Sequence, residues 1–140
     1  MSEALLFSAE SYIAAIDYDG MSAPQRIFSL VWALETEVNN GGFLQFFYNS
    51  SGEYAPQTPD ALIQIGANHC SEIVAQAISL VPIAAKGWLE ELQRRTIIRN
   101  LSGEVEDRLG ELDTRFFSYP DNLSALLAAY VNAHHQHFGI

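Results

Sequence analysis

Basic residues are scarce in this chain. Against 17 Asp+Glu stand 7 Lys+Arg over 140 residues, a formal charge of −10 with a pI near 4.6. A protein that grips a phosphate backbone needs clustered Lys and Arg, so direct binding of nucleic acid is not expected. Cysteine is reduced to Cys70, which excludes an internal disulfide framework and a thiolate zinc site. Long apolar runs are missing too. The longest, Ile73 to Ala85, is interrupted by Gln76, Ser79 and Pro82 and falls far short of the roughly 20 residues a bilayer span requires. The opening Met1-Ser2-Glu3-Ala4-Leu5-Leu6-Phe7 carries an acid where a secretory leader carries bases, so a cytoplasmic protein is the expectation. Gly41-Gly42 lacks the spacing and the lysine of a phosphate-cradling loop, and no Gly-x-Ser-x-Gly elbow occurs. Positive signs of an enzyme are close to absent, and no cofactor is expected.

What is present is a core. Hydrophobic residues make up 49% and charged ones 17%, enough for one packed domain over residues 1–140. Apolar residues recur with a period of 3.6, which predicts an all-α fold of six to seven helices. The first is expected over Glu3 to Asp17. Ser22 and Pro24 open a second, whose apolar face is Ile27, Leu30, Val31, Leu34 and Val38. Asn39-Asn40-Gly41-Gly42 is a strong stop, since Asn and Gly accept backbone conformations that end helices. A short aromatic helix, Phe43 to Tyr48, should be mostly buried. A polar loop leads to Thr58-Pro59-Asp60, the start of a long helix reaching Pro82. Further helices are expected over Ile83 to Ile98, over Gly103 to Phe117, and from an Asp121 cap onward.

The negative charge is lopsided. Residues 1–85 hold nine acids and one base, Arg26, whereas residues 86–140 hold eight acids and six bases. In the second half Glu90–Arg94, Glu91–Arg95, Glu104–Arg108 and Glu111–Arg115 have the favourable acid-first spacing of four, which should neutralise them locally. In the first half Glu3, Glu10 and Asp17 recur every seven residues and would share one face of a continuous helix. Asp19 extends that row, and Glu53 and Asp60 would thicken it if they fold alongside. This surface reads either as a docking face for a basic partner or as an ordinary solvated helix face.

Glu35 falls inside the apolar arc of Phe28, Val31 and Leu34, whereas Glu37 points away. A carboxylate so placed must be hydrogen-bonded or have its pKa raised. Asn39, Asn40, Gln45 and Asn49 are the residues that could surround it, either as a pocket or as a buried polar network. His134 and His137 stand three apart near a helix C-terminus, without a third ligand of fitting spacing, so no metal site is expected.

The stretch Glu35-Thr36-Glu37-Val38-Asn39-Asn40-Gly41-Gly42-Phe43-Leu44-Gln45-Phe46-Phe47-Tyr48-Asn49-Ser50-Ser51-Gly52 resembles the signature of a bacterial domain-of-unknown-function family that includes a nineteen-kilodalton DNA-mimic protein. Ala61 to Ala67 and Leu112 to Pro120 fall where later blocks of that family would. The resemblance spans roughly Ile27 to Tyr130. It implies an all-helical fold, allows a homodimer, and suggests an acidic surface that occupies the DNA-binding face of a transcription regulator. The expectation is thus a non-enzymatic binding protein with a basic partner, facing it through Glu3, Glu10, Asp17, Asp19, Glu53 and Asp60. The alternative is a ligand-binding or enzymatic pocket around Glu35.

Overall fold

In the computed structural model, which describes residues 2–140, the chain folds into helices alone. The described residues form seven α-helices, with 3-10 turns in three of the connections and after the last helix: α1 (Ser2–Ile13), α2 (Ala23–Tyr48), α3 (Thr58–Gln64), α4 (Asn68–Leu80), α5 (Glu91–Arg99), α6 (Gly103–Phe117) and α7 (Leu123–Ala133). Among the described residues no strand occurs. None of these helices is both long and apolar enough to cross a membrane.

The central element is α2. Ser22 opens it with a capping box, its hydroxyl accepting from the Gln25 N–H while the Gln25 side chain accepts from the Ser22 N–H. Phe28, Val31, Leu34 and Val38 form the buried stripe. The expected stop is a sharp bend: Gly41 and Gly42 leave helical geometry, and Gly42 takes φ 73, ψ −173. The aromatic turn then resumes with Phe43, Phe46 and Phe47 almost wholly buried. So short a helix cannot persist by itself. Burial of each Phe, worth about 1.5–3 kcal/mol, holds it against the core.

Around α2, α1 packs on α7, α6 packs on both α2 and α4, and α3 pairs with α4. One contiguous core joins them, with Phe28, Trp88, Phe116 and Phe138 among its larger members.

Several boundaries differ from expectation. α1 ends at Ile13, so Asp17 is not on it; Asp17 precedes a 3-10 turn, Tyr18–Gly20, in extended conformation. The row Glu3, Glu10, Asp17 therefore does not lie on one continuous helix. The helix expected from Thr58 to Pro82 is two, because Gly66 adopts φ 88 and the N–H of Ala67 returns to the Leu62 carbonyl. Between Ile83 and Glu90 the chain forms a 3-10 turn, Ala85–Leu89, and α5 starts later than expected. The polar loop before Thr58 is also a 3-10 segment, Ser50–Gln57. Asn122 caps α7, accepting from Ala125. The adjacent Asp121 instead caps α4 across space, its carboxylate accepting from the Cys70 N–H at 2.8 Å and lying 3.1 Å from His69 Nδ1. Burial alone would raise the Asp121 carboxyl, but these two donors hold it below its ordinary value.

Candidate functional site

The Asn-Gly-aromatic block is clamped at both ends. Before it, the Asp113 carboxylate from α6 accepts from the Phe43 N–H at 2.8 Å and occupies the space where a Gly42 Cβ would stand. Behind it, Arg94 from α5 is only 1% exposed and donates to the carbonyls of Phe47 and Asn49, and to that of Trp88. Arg95 donates to the Tyr48 carbonyl, with its guanidinium 4.9 Å from the centre of the Tyr48 ring. An acid at the N-terminus and bases at the C-terminus match the helix dipole. Phe116 and Phe43 rings meet at 6.1 Å. The chain segment from Asn39 to Gly52 is thus a structural clasp between α5 and α6. Sequence signals touched both residues, Arg94 through its spacing from Glu90 and Asp113 within the Leu112–Pro120 block, but neither signal pointed to the aromatic turn they hold.

The polar residues expected around Glu35 divide between two faces. Asn39 donates to the Tyr119 hydroxyl at 2.8 Å, and that hydroxyl donates to Glu35 Oε2 at 3.3 Å. Gln45 and Asn49 do not reach Glu35. They donate to Glu37 Oε2, at 2.7 and 3.0 Å, because the bend at Gly41-Gly42 carries the aromatic turn toward that side. Glu37, expected to point away, is the half-buried acceptor of that network. Asn40 is exposed on the bend. Tyr119 holds φ 51, the one positive φ outside glycine among the described residues. A bulky residue kept in this conformation marks a position the surrounding structure overrides.

Two clefts flank α2. One, of about 480 Å³, is lined by Glu35 and Asn39 together with Glu3, Leu6, Phe7 and Trp32. Burial is the dominant influence on Glu35 and raises its carboxyl, opposed by the Tyr119 hydroxyl. The other cleft, of about 310 Å³, lies between Tyr18, Tyr54, Glu37 and Glu53. There the Tyr18 and Tyr54 rings stack at 4.0 Å, and Asp19 and Glu53 both act on Tyr54. The six acidic candidates therefore fall in separate places. Asp19 and Glu53 both act on Tyr54 of the tyrosine stack, and Glu3 belongs to the Glu35 cleft. Asp17 precedes the Tyr18–Gly20 turn, whereas Glu10 and Asp60 stand on α1 and α3.

The expected neutralisation of the second half is mostly not formed. Only Glu91–Arg95 makes an ion pair, at 2.8 Å, beside the His69–Asp121 contact, among the described residues. Arg94 is turned inward to carbonyls and Arg115 toward the Gln76 side chain. Arg26 likewise donates to the carbonyls of Tyr18 and Asp19 rather than to a carboxylate. Among the described residues no three His, Cys, Asp or Glu side chains converge as a metal site would require. His137 Nδ1 lies 2.9 Å from Ser22 Oγ, and His134 Nδ1 2.9 Å from the Tyr130 carbonyl.

A family model described as DMP19-like protein matches residues 19–134. No curated protein and no solved structure matches the chain.

Proposed function

We propose, from the premise that this chain belongs to the DMP19-like protein family, that it is a non-enzymatic DNA mimic whose acidic surface engages a basic, DNA-binding regulator. The observation that carries this reading is the disposition of the bases. With 7 Lys+Arg for 17 Asp+Glu, Arg26 and Arg94 are directed at backbone carbonyls and Arg95 is shared between the Tyr48 carbonyl and Glu91, so among the described residues most surface carboxylates face solvent without a cation. Such a surface offers a DNA-binding protein a substitute for phosphates. Asp19 and Glu53, each of which acts on Tyr54, are the pair on which this reading is tested.

Association steered by exposed charge is fast and salt-sensitive, because screening sets in beyond a Debye length of about 8 Å at physiological ionic strength. The test is capture of basic proteins from the native host's lysate by the tagged chain, with low-salt and high-salt washes. A DNA-binding protein retained at low salt, released by salt and displaced by duplex DNA is the expected result. Asp19→Lys with Glu53→Lys should weaken that capture about tenfold or more at low salt and less at high salt. Capture that resists duplex DNA, or is unchanged in the double variant, refutes the assigned face.

A further inference from the structure

The Glu35 cleft has a chemistry of its own, separate from the reading of the acidic surface. Its apolar walls are Leu6, Phe7 and Trp32, its acids are Glu3 and Glu35, and no Lys or Arg lines it. At about 480 Å³ it is within the range of small-ligand sites. The Trp32 indole is fixed by stacking on the buried Phe28 ring at 5.6 Å, and Phe7 stands across it at 79° to make an aromatic corner. Phe7 is 59% exposed, so its ring is accessible to a ligand in the cleft.

Among the described residues no cation faces Glu35, and its carboxylate is open toward the cleft. Among the described residues its one hydrogen bond is the long contact from Tyr119 to Oε2, and none reaches Oε1. Tyr119 is in turn oriented by Asn39. A half-buried carboxylate without a cation bears a desolvation cost that a cation in the cleft would offset. An anion is repelled by both acids, and a neutral ligand leaves Glu35 uncompensated. Aromatic faces beside a carboxylate are instead suited to an organic cation.

We propose that this cleft binds an aliphatic cation, a guanidinium or ammonium group on a short carbon stem, with its charge on Glu35 and its stem along Trp32 and Phe7. The group belongs either to a free small molecule or to a side chain of a basic partner, and the chemistry of recognition is the same.

The test uses butylguanidinium and its neutral isostere butylurea, read by the indole N–H signals of the full chain in solution NMR. Trp88, 3% exposed in the core, serves as the internal reference. Butylguanidinium should shift the Trp32 signal saturably, and a ligand of this size is limited to roughly millimolar affinity. Butylurea should not shift it, and Glu35→Gln should weaken the response about tenfold or more. Because Glu35→Gln also alters the Tyr119 contact, Thr36→Trp is the second variant: its site is exposed on α2 and lines the cleft, so the new ring fills it and should abolish the shift. A Trp32 signal that stays in place at roughly 10 mM butylguanidinium overturns the proposal, as does an equal response to butylurea or an undiminished one in Thr36→Trp. Where a regulator is captured, its release by butylguanidinium but not by sodium chloride of equal ionic strength assigns the cation to the partner. Its retention, with the Trp32 shift intact, assigns a free ligand.

Discussion

Arg94→Met tests whether the clasp around the aromatic turn is what holds the centre of the molecule. Three carbonyls accept from the Arg94 guanidinium: those of Phe47 and Trp88, in buried surroundings, and that of Asn49, which is partly buried. Methionine fills much of the same volume but donates nothing. An orphaned buried acceptor costs about 1–3 kcal/mol, so the two buried carbonyls alone cost roughly 2–6. Water regained at Asn49 and relief of a desolvated charge offset part of this, leaving a net loss of about 2–5 kcal/mol. That is a large share of the 5–15 kcal/mol or so by which domains are stable. Urea unfolding followed by tryptophan fluorescence in a Trp32→Phe background is the assay, since the remaining Trp88 ring packs 5.2 Å from Phe47 and its own carbonyl is one of the acceptors. Arg108→Met, at an exposed site on α6, is the control and should change stability by no more than about 0.5 kcal/mol. A loss below about 1 kcal/mol for Arg94→Met, with an unchanged denaturant slope, would refute the clasp.

Three other substitutions and reactions probe the same architecture. Gly42→Ala should cost upward of about 1–2 kcal/mol, from the positive φ alone, and more because its methyl would come 2.5 Å from Asp113 Oδ2; equilibrium unfolding of the single variant and of Gly42→Ala with Asp113→Ala should show non-additive losses. Burial pushes the Cys70 thiol up to about 12, so in the folded protein it should resist iodoacetamide at pH 8 and react only as urea unfolds the chain. Ready labelling of the native protein at that pH would contradict its burial. Glu35→Gln should gain stability relative to the parent as pH rises from about 4 to 7. The sign follows from the raised carboxyl: the unfolded chain ionises first, so the parent loses stability in the window above the unfolded value near 4.5, and glutamine removes that loss. A stability difference that is flat across that window, by urea midpoints at several pH values, would mean that Glu35 is not desolvated.

Helical class, the Ser22 cap, the stripe on α2 and the stop at Gly41-Gly42 were all legible in the amino-acid sequence. Each depends on contacts within a few residues, where periodicity and local hydrogen bonding decide the backbone. The start and end of α6 were legible for the same reason, with Ser102 capping Val105. The break at Gly66 was not, because Gly within an apolar run is equally consistent with close packing inside one helix. The cap donated by Asp121 to α4 joins residues 51 apart, and no local pattern encodes it.

The candidate site divides along the same line. Composition alone determined that this chain is acidic and poor in bases, periodicity that it is helical, and the block from Glu35 to Gly52 carried its family resemblance. Only the tertiary structure decided where its charges act. The spacing of four predicted Glu90–Arg94, yet Arg94 is drawn inward because buried carbonyls at the end of a short helix are a stronger demand than an exposed ion pair worth a few tenths of a kcal/mol. Glu35 was singled out by its helical angle, but its partner Tyr119 lies 84 residues away and reaches it through a backbone conformation that a tyrosine seldom adopts. Gln45 and Asn49 chose Glu37 because the Gly42 bend redirects the chain by more than any side-chain preference could. Local propensity set the helices; the packing of α5 and α6 onto α2 set which polar groups meet there, and the placing of α1 and α7 beside α2 set where a cleft opens beside Trp32.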